Sequence, residues 1–240
     1  MRYLILAAGM GRRLGAAGAG LPKCLIEVNG ETLIARLLRQ IRRNDPAADI
    51  HVVLGYRSDA VTPAVHGCRI ILNPFFDTTG INASMWFARD AFDRPLMLIH
   101  ADLVLADDLA DALLTAEAET LMAFDSTLRD PTEVNVAVAA GRVTRFDENF
   151  TGYSGLYAGV LKLSEPAASA FAQTLDQRVR QGFDTPRDYY FFAVRAIIEQ
   201  HAIAVSAFDI AGRAWQEIDR AEHIAAARAR FREPRLAIAS

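Results

Sequence analysis

The chain has 240 residues, 52% of them hydrophobic, and a formal net charge of −3. Its basic residues are scattered, which argues against a surface that coats nucleic acid, and no apolar run approaches the roughly 18 residues that suggest a membrane span. Cys24 and Cys68 stand alone without a Cys-x-x-Cys spacing, so neither a zinc site nor a disulfide framework is indicated, and both read as small buried hydrophobes. The length suits one large domain or one and a half. Because the chain enters a strand with no basic, cleavable leader pattern, a cytoplasmic protein is expected.

From Arg2 to Ala8 the sequence is an apolar run closed by a glycine, as expected of a central parallel strand covered on both faces. Gly9 and Gly11 allow a tight turn that brings backbone N–H groups close to a ligand, and Arg12 and Arg13 add positive charge there. This describes an anion site. It is not a dinucleotide fingerprint, because Leu14 stands where a third glycine is needed, and no Gly-Lys-Ser/Thr follows to make a Walker A loop. Of the 26 basic residues 24 are arginines, and the only lysines are Lys23 and Lys162. A lysine behind Pro22 in so arginine-rich a chain suggests a need for a compact ammonium. Together these features suit a nucleoside triphosphate bound without a P-loop.

Ala7-Ala8-Gly9-x-Gly11-x-Arg13-Leu14 followed by Pro22-Lys23-x-Leu25 resembles the two-part signature of the sugar-nucleotidyltransferase-like family, whose members join a nucleoside triphosphate to a phosphorylated acceptor. The resemblance implies nucleotide contacts at Leu6, Ala8, Gly9 and Gly11, with Arg13 and Lys23 as the catalytic cations.

Residues 31 to 44 place Leu33, Ile34, Leu37, Leu38 and Ile41 at helical spacing with arginines opposite, a packing helix. Ile50–Leu54 and Cys68–Leu72 read as further buried strands. Strand, helix and strand in repetition imply right-handed crossovers and a doubly wound parallel sheet, whose ligands sit beyond the carboxyl ends of the strands. Residues 73 to 89 form a polar loop running into an amphipathic helix, which Asn82 or Ser84 could simply cap. The Asn82-x-Ser84-x-Trp86 pattern also resembles the subgroup that uses CTP with small phosphorylated amino-alcohols or phosphonates. There the loop lies against the base, so Asn82 and Ser84 are candidate nucleotide contacts, while Trp86 reads as core.

Leu96–His100 is a third apolar strand, followed by Ala101-Asp102. A carboxylate at this point is where Mg²⁺ bound to phosphates finds a ligand, and the resemblance gives Asp102 that role. The family usually has glycine before the aspartate. If that glycine takes a positive φ, Ala101 would carry strain of about 1 kcal/mol. His100 reads as structural rather than as a base, since an anionic acceptor needs none.

A helix is expected at Asp107–Glu117, a strand at Thr120–Phe124, an antiparallel hairpin over Glu133–Phe146 and a strand at Ser154–Val160 whose glycines suggest close approach by a ligand or another backbone. These would form a small lid. Asp147-Glu148-Asn149 stands where many members carry a second lysine. Helices follow at Glu165–Gln181 and Pro186–Gln200. The second opens Arg187-Asp188-Tyr189-Tyr190, which is either packing or, by resemblance to the CTP-using subgroup, an aromatic pair enclosing a cationic head group together with Trp215. Phe191 replaces the usual carboxylate after the pair, which leaves Asp188 to serve. A strand at Ala202–Ile210 leads to Glu217-Ile218-Asp219 and a closing helix over Arg220–Arg232; here Asp219 is either an N-cap or, by resemblance, the second Mg²⁺ ligand.

The expected fold is therefore α/β, a doubly wound, mostly parallel Rossmann-like sheet with a small antiparallel β lid. Residues 1–240 form one nucleotidyltransferase domain, with the nucleotide part at about 1–125 plus 202–232 and the acceptor or lid part at about 126–201. By resemblance, the enzyme uses Mg²⁺ to transfer CMP from CTP to phosphocholine, phosphoethanolamine or 2-aminoethylphosphonate and releases pyrophosphate. Two alternatives stay open: another nucleotide or acceptor on the same fold, such as a sugar 1-phosphate, or a non-catalytic nucleotide sensor. No nucleic-acid or membrane partner is expected, and a homodimer is allowed for.

Overall fold

The computed structural model describes residues 1–18, 20–182 and 189–232. β1 (Arg2–Ala7) turns Tyr3, Ile5 and Ala7 to one face and Leu4 and Leu6 to the other, the two-residue period of a strand. Short turns at Arg12–Gly18 and Lys23–Leu25 lead to a small hairpin, β2 (Glu27–Val28) and β3 (Glu31–Thr32), and then to α1 (Leu33–Asn44). The Thr32 hydroxyl accepts from the Ala35 N–H at 3.2 Å and caps α1. Its stripe Leu33, Ile34, Leu37, Leu38 and Ile41 is buried as the spacing implied. Next come β4 (Asp49–Leu54), α2 (Ser58–Val61), β5 (Arg69–Leu72), α3 (Ile81–Phe87), β6 (Leu96–His100), β7 (Leu103–Leu105), α4 (Asp107–Leu114) and β8 (Leu121–Asp125). The chain continues through β9 (Asn135–Ala139), β10 (Arg142–Asp147), β11 (Gly155–Leu163), α5 (Glu165–Gln181) and α6 (Phe191–Arg195), which runs on as a π-turn over Ala196–Gln200. β12 (Ser206–Asp209), β13 (Trp215–Glu217) and α7 (Ala221–Arg230) close it.

Nine strands form one sheet in the order β5-β4-β1-β6-β11-β8-β12-β10-β9. β5, β4, β1 and β6 are parallel, as are β8 and β12, while β11 runs antiparallel to both β6 and β8. One face packs on α3, α5 and α6, the other on α1 and α4. The mixed α/β, Rossmann-like architecture read from the sequence is thus present. Among the described residues no helix is long and apolar enough to cross a membrane.

Three local expectations change. β5 is an exposed edge strand rather than a buried one, with Leu72 at 54% exposure, and among the described residues no strand pairs beyond it. The β9–β10 hairpin, expected in a small antiparallel lid, is continuous with the main sheet and also pairs with β11. The helix expected to reach Glu117 stops at Leu114, where the Thr115 hydroxyl bonds back to the Asp111 carbonyl. The close approach sensed at the glycines of β11 is to protein: a Cβ on Gly155 would lie 2.2 Å from the Asp125 carbonyl oxygen, and one on Gly159, at φ +70°, would lie 2.9 Å from the Leu103 side chain.

Candidate active site

At the carboxyl ends of β1 and β6, where ligands bind in open α/β sheets, lies a cavity of about 370 Å³. The Ala101 N–H donates to the Leu6 carbonyl at 3.1 Å and ties the two strand ends together. Leu6, Ala8, Gly9, Gly11, Arg13, Lys23, Ser84, Asp102 and Asp219 all line this cavity. Residues 206 positions apart in sequence therefore share one site.

Gly11 is what allows the lysine to lie where it does. Its φ is +60°, and a Cβ there would sit 2.8 Å from Lys23 Cγ. Lys23 Nζ donates to Asp102 Oδ2 at 2.9 Å and also to Asp219 Oδ1, so one ammonium bridges both carboxylates. Arg13 Nη1 reaches the other Asp219 oxygen at 3.2 Å while its side chain stays 65% exposed toward solvent. Burial alone would lower the Lys23 pKa, but Asp102 and Asp219 outweigh it and raise the ammonium above its ordinary range. For Asp102 burial likewise opposes ionisation, and Lys23 reverses this and holds the carboxyl below the usual range. Burial pushes the Cys24 thiol up to about 12, so this cavity-lining cysteine is an inert thiol.

A local ladder brings the acidic residues together. β13 pairs antiparallel with β7 and sets Glu217 opposite Leu103, and the Ile218 N–H donates to the Asp102 carbonyl at 2.9 Å. Glu217, which the sequence reading quoted but gave no role, thereby enters the site. It ends β13, a strand of three residues, too short to show from the sequence which face Glu217 takes. Burial, then the negative charges of Asp102 and Asp219, raise its pKa well above the usual carboxylate range.

The residues suit a divalent cation. His100, Asp102 and Glu217 offer donor atoms all within 4.8 Å of one another, and Asp102 Oδ1 is buried with no hydrogen-bond partner among the described residues. An oxygen-rich set with an orphaned carboxylate oxygen is what a hard cation takes. Asp219, the expected second ligand, stands at the same ammonium as Asp102, held by Lys23 and Arg13. Ala101 does not adopt a positive φ, so the strain considered for it does not arise.

The remaining expected contacts divide. Ser84 faces the cavity and accepts from Asn73 Nδ2 at 2.9 Å, whereas Asn82 is wholly buried and does not line it. Neither caps α3, whose N-cap is Gly80. Trp215, Tyr189 and Tyr190 do not share a pocket. Trp215 is packed in the layer of α1 and α4, with Nε1 donating to Asp125 Oδ2 at 2.7 Å; Tyr190, in the opposite layer, is completely buried. Both rings find hydrogen-bond partners inside the protein, which is why they stay in the core. Tyr189 is half-buried beside Tyr190, their ring centroids 4.3 Å apart. Asp188 lies outside the described residues. Phe76, Asp77, Thr79 and Gly80 of the loop before α3 also line the cavity, and the sequence reading named none of them individually.

These features are those of a nucleotidyltransferase fold, and residues 3–145 match the MobA-like NTP transferase domain, so the chain belongs to that family. Over 90% of its length it is 30% identical to a bifunctional IPC transferase and DIPP synthase of Rubrobacter xylanophilus, of which it covers 48%. It is 27% identical to a CMP-5′-(3-aminopropyl)phosphonate synthase of Streptomyces rubellomurinus, covering 39% of that protein, so it spans less than half the length of these two relatives. A CTP:phosphoglutamine cytidylyltransferase of Campylobacter jejuni is 24% identical and covered to 96%. In fold, the chain is similar to the CTP:phosphocholine cytidylyltransferase of Streptococcus pneumoniae, with a TM-score of 0.76 at 18% identity over 95% of this chain and 97% of that one.

Proposed function

We propose that this chain is a cytidylyltransferase that moves CMP from CTP to a small phosphate or phosphonate. The observation that carries the reading is the bridge of Lys23 between Asp102 and Asp219 beside the Gly9–Gly11 turn, which gathers cations and carboxylates in one cavity. Three relatives or fold neighbours that act on CTP or make a CMP product support the choice of nucleotide.

In this reading an anionic oxygen of the acceptor attacks the α-phosphorus of CTP. A new P–O bond forms, the bond from the α-phosphorus to the bridging oxygen breaks, and pyrophosphate leaves with that electron pair. No proton has to be removed from an ionised acceptor, so the protein supplies position and charge. Backbone N–H groups at Gly9 and Gly11 would cradle the nucleotide, with Ser84 and the loop before α3 on the base side. Arg13 and Lys23 would offset charge accumulating on the phosphates. We take Mg²⁺ as the cofactor, held by Asp102 with Asp219 and Glu217 beside it, and when bound it supplies positive charge to the triphosphate oxygens.

For the acceptor we infer an amine-bearing phosphate or phosphonate, because the site is rich in carboxylates and two relatives are named for an aminopropylphosphonate and for phosphoglutamine. The burial of Tyr190 and Trp215 favours a second reading, a polyol phosphate, since among the described residues these rings form no aromatic cage. Pyrophosphate release measured for CTP, UTP, GTP and ATP against phosphocholine, 2-aminoethylphosphonate, inositol 1-phosphate and glucose 1-phosphate separates the two. The amine reading calls for the first two acceptors to lead with CTP by about ten-fold in kcat/KM, or about 1.4 kcal/mol.

A further inference from the structure

His100 ends β6 two residues before Asp102 and is surrounded by tyrosines whose burial the proposed transfer does not explain. Its Nε2 lies 3.1 Å from the Tyr190 hydroxyl and 3.3 Å from that of Tyr189, and the Tyr190 hydroxyl in turn donates to Tyr157 at 2.9 Å. The Tyr189 hydroxyl donates to Tyr190 at 3.2 Å, so the Tyr190 oxygen is left to accept from Nε2–H. The rings of Tyr157, Tyr189 and Tyr190 stand edge-on to the imidazole with centroids 5.8–6.2 Å away, fixing its plane. Metal-bound histidines are oriented in this way, one ring nitrogen tied to an outer partner and the other carrying the lone pair. With Nε2 committed, Nδ1 is the free donor.

Two further observations meet at the same point. A donor atom of His100 lies within 4.8 Å of donor atoms of both Asp102 and Glu217. Asp102 gives Oδ2 to Lys23 and keeps Oδ1 buried and, among the described residues, without a hydrogen-bond partner. The cluster therefore offers one imidazole nitrogen and two carboxylates around an unclaimed oxygen.

We propose that His100 contributes a ring nitrogen to the divalent-cation site it forms with Asp102 and Glu217 when that site takes Mn²⁺ or Co²⁺ in place of Mg²⁺. A nitrogen donor is accepted by these transition metals and disfavoured by Mg²⁺, which prefers oxygen and gives up water reluctantly. Tyr189 and Tyr190 are then positioning residues for His100 rather than walls of an acceptor pocket. The inference rests on the proposed function only in placing a divalent ion at Asp102.

The test uses Mn²⁺ alone, without nucleotide, added to the whole protein. Wild-type protein should bind Mn²⁺ and show ¹⁴N coupling in electron spin echo envelope modulation. In H100Q the coupling should vanish and Mn²⁺ affinity fall about ten-fold or more, while Mg²⁺ affinity by competition moves less than three-fold. His223, whose Nδ1 accepts from the Asp219 N–H at 3.1 Å, is the nearby control, and H223Q should keep the coupling. Should H100Q not fold, wild type labelled with ¹⁵N-histidine must exchange the ¹⁴N pattern for a ¹⁵N one, with H223Q still showing it. Absence of Mn²⁺ binding, bound Mn²⁺ without nitrogen coupling, coupling that survives in H100Q, or coupling lost in H223Q overturns the proposal. Nitrogen coupling without CTP turnover would leave it standing and defeat the functional reading; turnover without coupling does the reverse.

Discussion

The Ile218 N–H donates to the Asp102 carbonyl at 2.9 Å, so the segment carrying Glu217 and Asp219 is fastened to the strand end that carries Asp102. The two aspartates act on one ammonium and belong to one unit. Asp102→Ala and Asp219→Ala should each abolish metal-dependent turnover, and the double variant should be little slower than either, because residues acting as a unit are not additive. Steady-state kcat for the three variants checks this. Losses that multiply would mean two separate roles.

Lys23→Ala removes the charge that bridges them. We expect kcat to fall by about 10²–10³, the usual loss for one preorganised charge contact, with the far-ultraviolet dichroism unchanged. Arg13 is more exposed and shares Asp219, so Arg13→Ala should lose less. Equal turnover in Lys23→Ala and wild type would remove Lys23 from the mechanism.

Trp215→Phe separates core from site. The indole N–H bond to Asp125 at 2.7 Å is buried, and its loss should cost about 1.5–3 kcal/mol of unfolding free energy, the range for hydrogen bonds to a charged group. Because Trp215 packs in the layer of α1 and α4, the ratio of kcat/KM between acceptors should not change. Denaturant melts and acceptor kinetics on the same variant decide this, and an altered acceptor ratio would return Trp215 to the pocket.

Asp125 gives a pH prediction. Burial opposes its ionisation, but hydrogen bonds from Thr127 and Trp215 prevail and its pKa is lowered in the folded protein. A depressed carboxyl stabilises fully above the unfolded value of about 3.9 and loses that contribution as pH falls through the folded value. Asp125→Asn should therefore weaken stability near neutrality and flatten its decline below about pH 4. An unchanged acid slope in urea melts would contradict the assignment.

Much of the site was legible because its determinants are local. The apolar run into Gly9-x-Gly11, the helical stripe of α1 and the strand leading to Asp102 each need only a few neighbouring residues to be recognised, and they stand where expected. What was missed depends on pairing between distant segments. β5 carries an apolar run like a buried strand, yet its place at the sheet edge follows from strand order alone. Tyr190 and Trp215 both follow motif spacing, but whether an aromatic faces a cavity or the core depends on which side of the sheet its element packs. Glu217 joined Asp102 only through the β7–β13 ladder, two short strands with too few residues to show a period.

The most direct test follows CTP by ³¹P NMR with wild-type protein, Mg²⁺ and 2-aminoethylphosphonate or phosphocholine. The account requires the triphosphate signals to give way to equal amounts of pyrophosphate and a CMP–acceptor anhydride with a new P–O–P linkage, with neither product formed when chelator is added. CTP that binds in the presence of Mg²⁺ but yields no anhydride with any phosphate or phosphonate acceptor would contradict it.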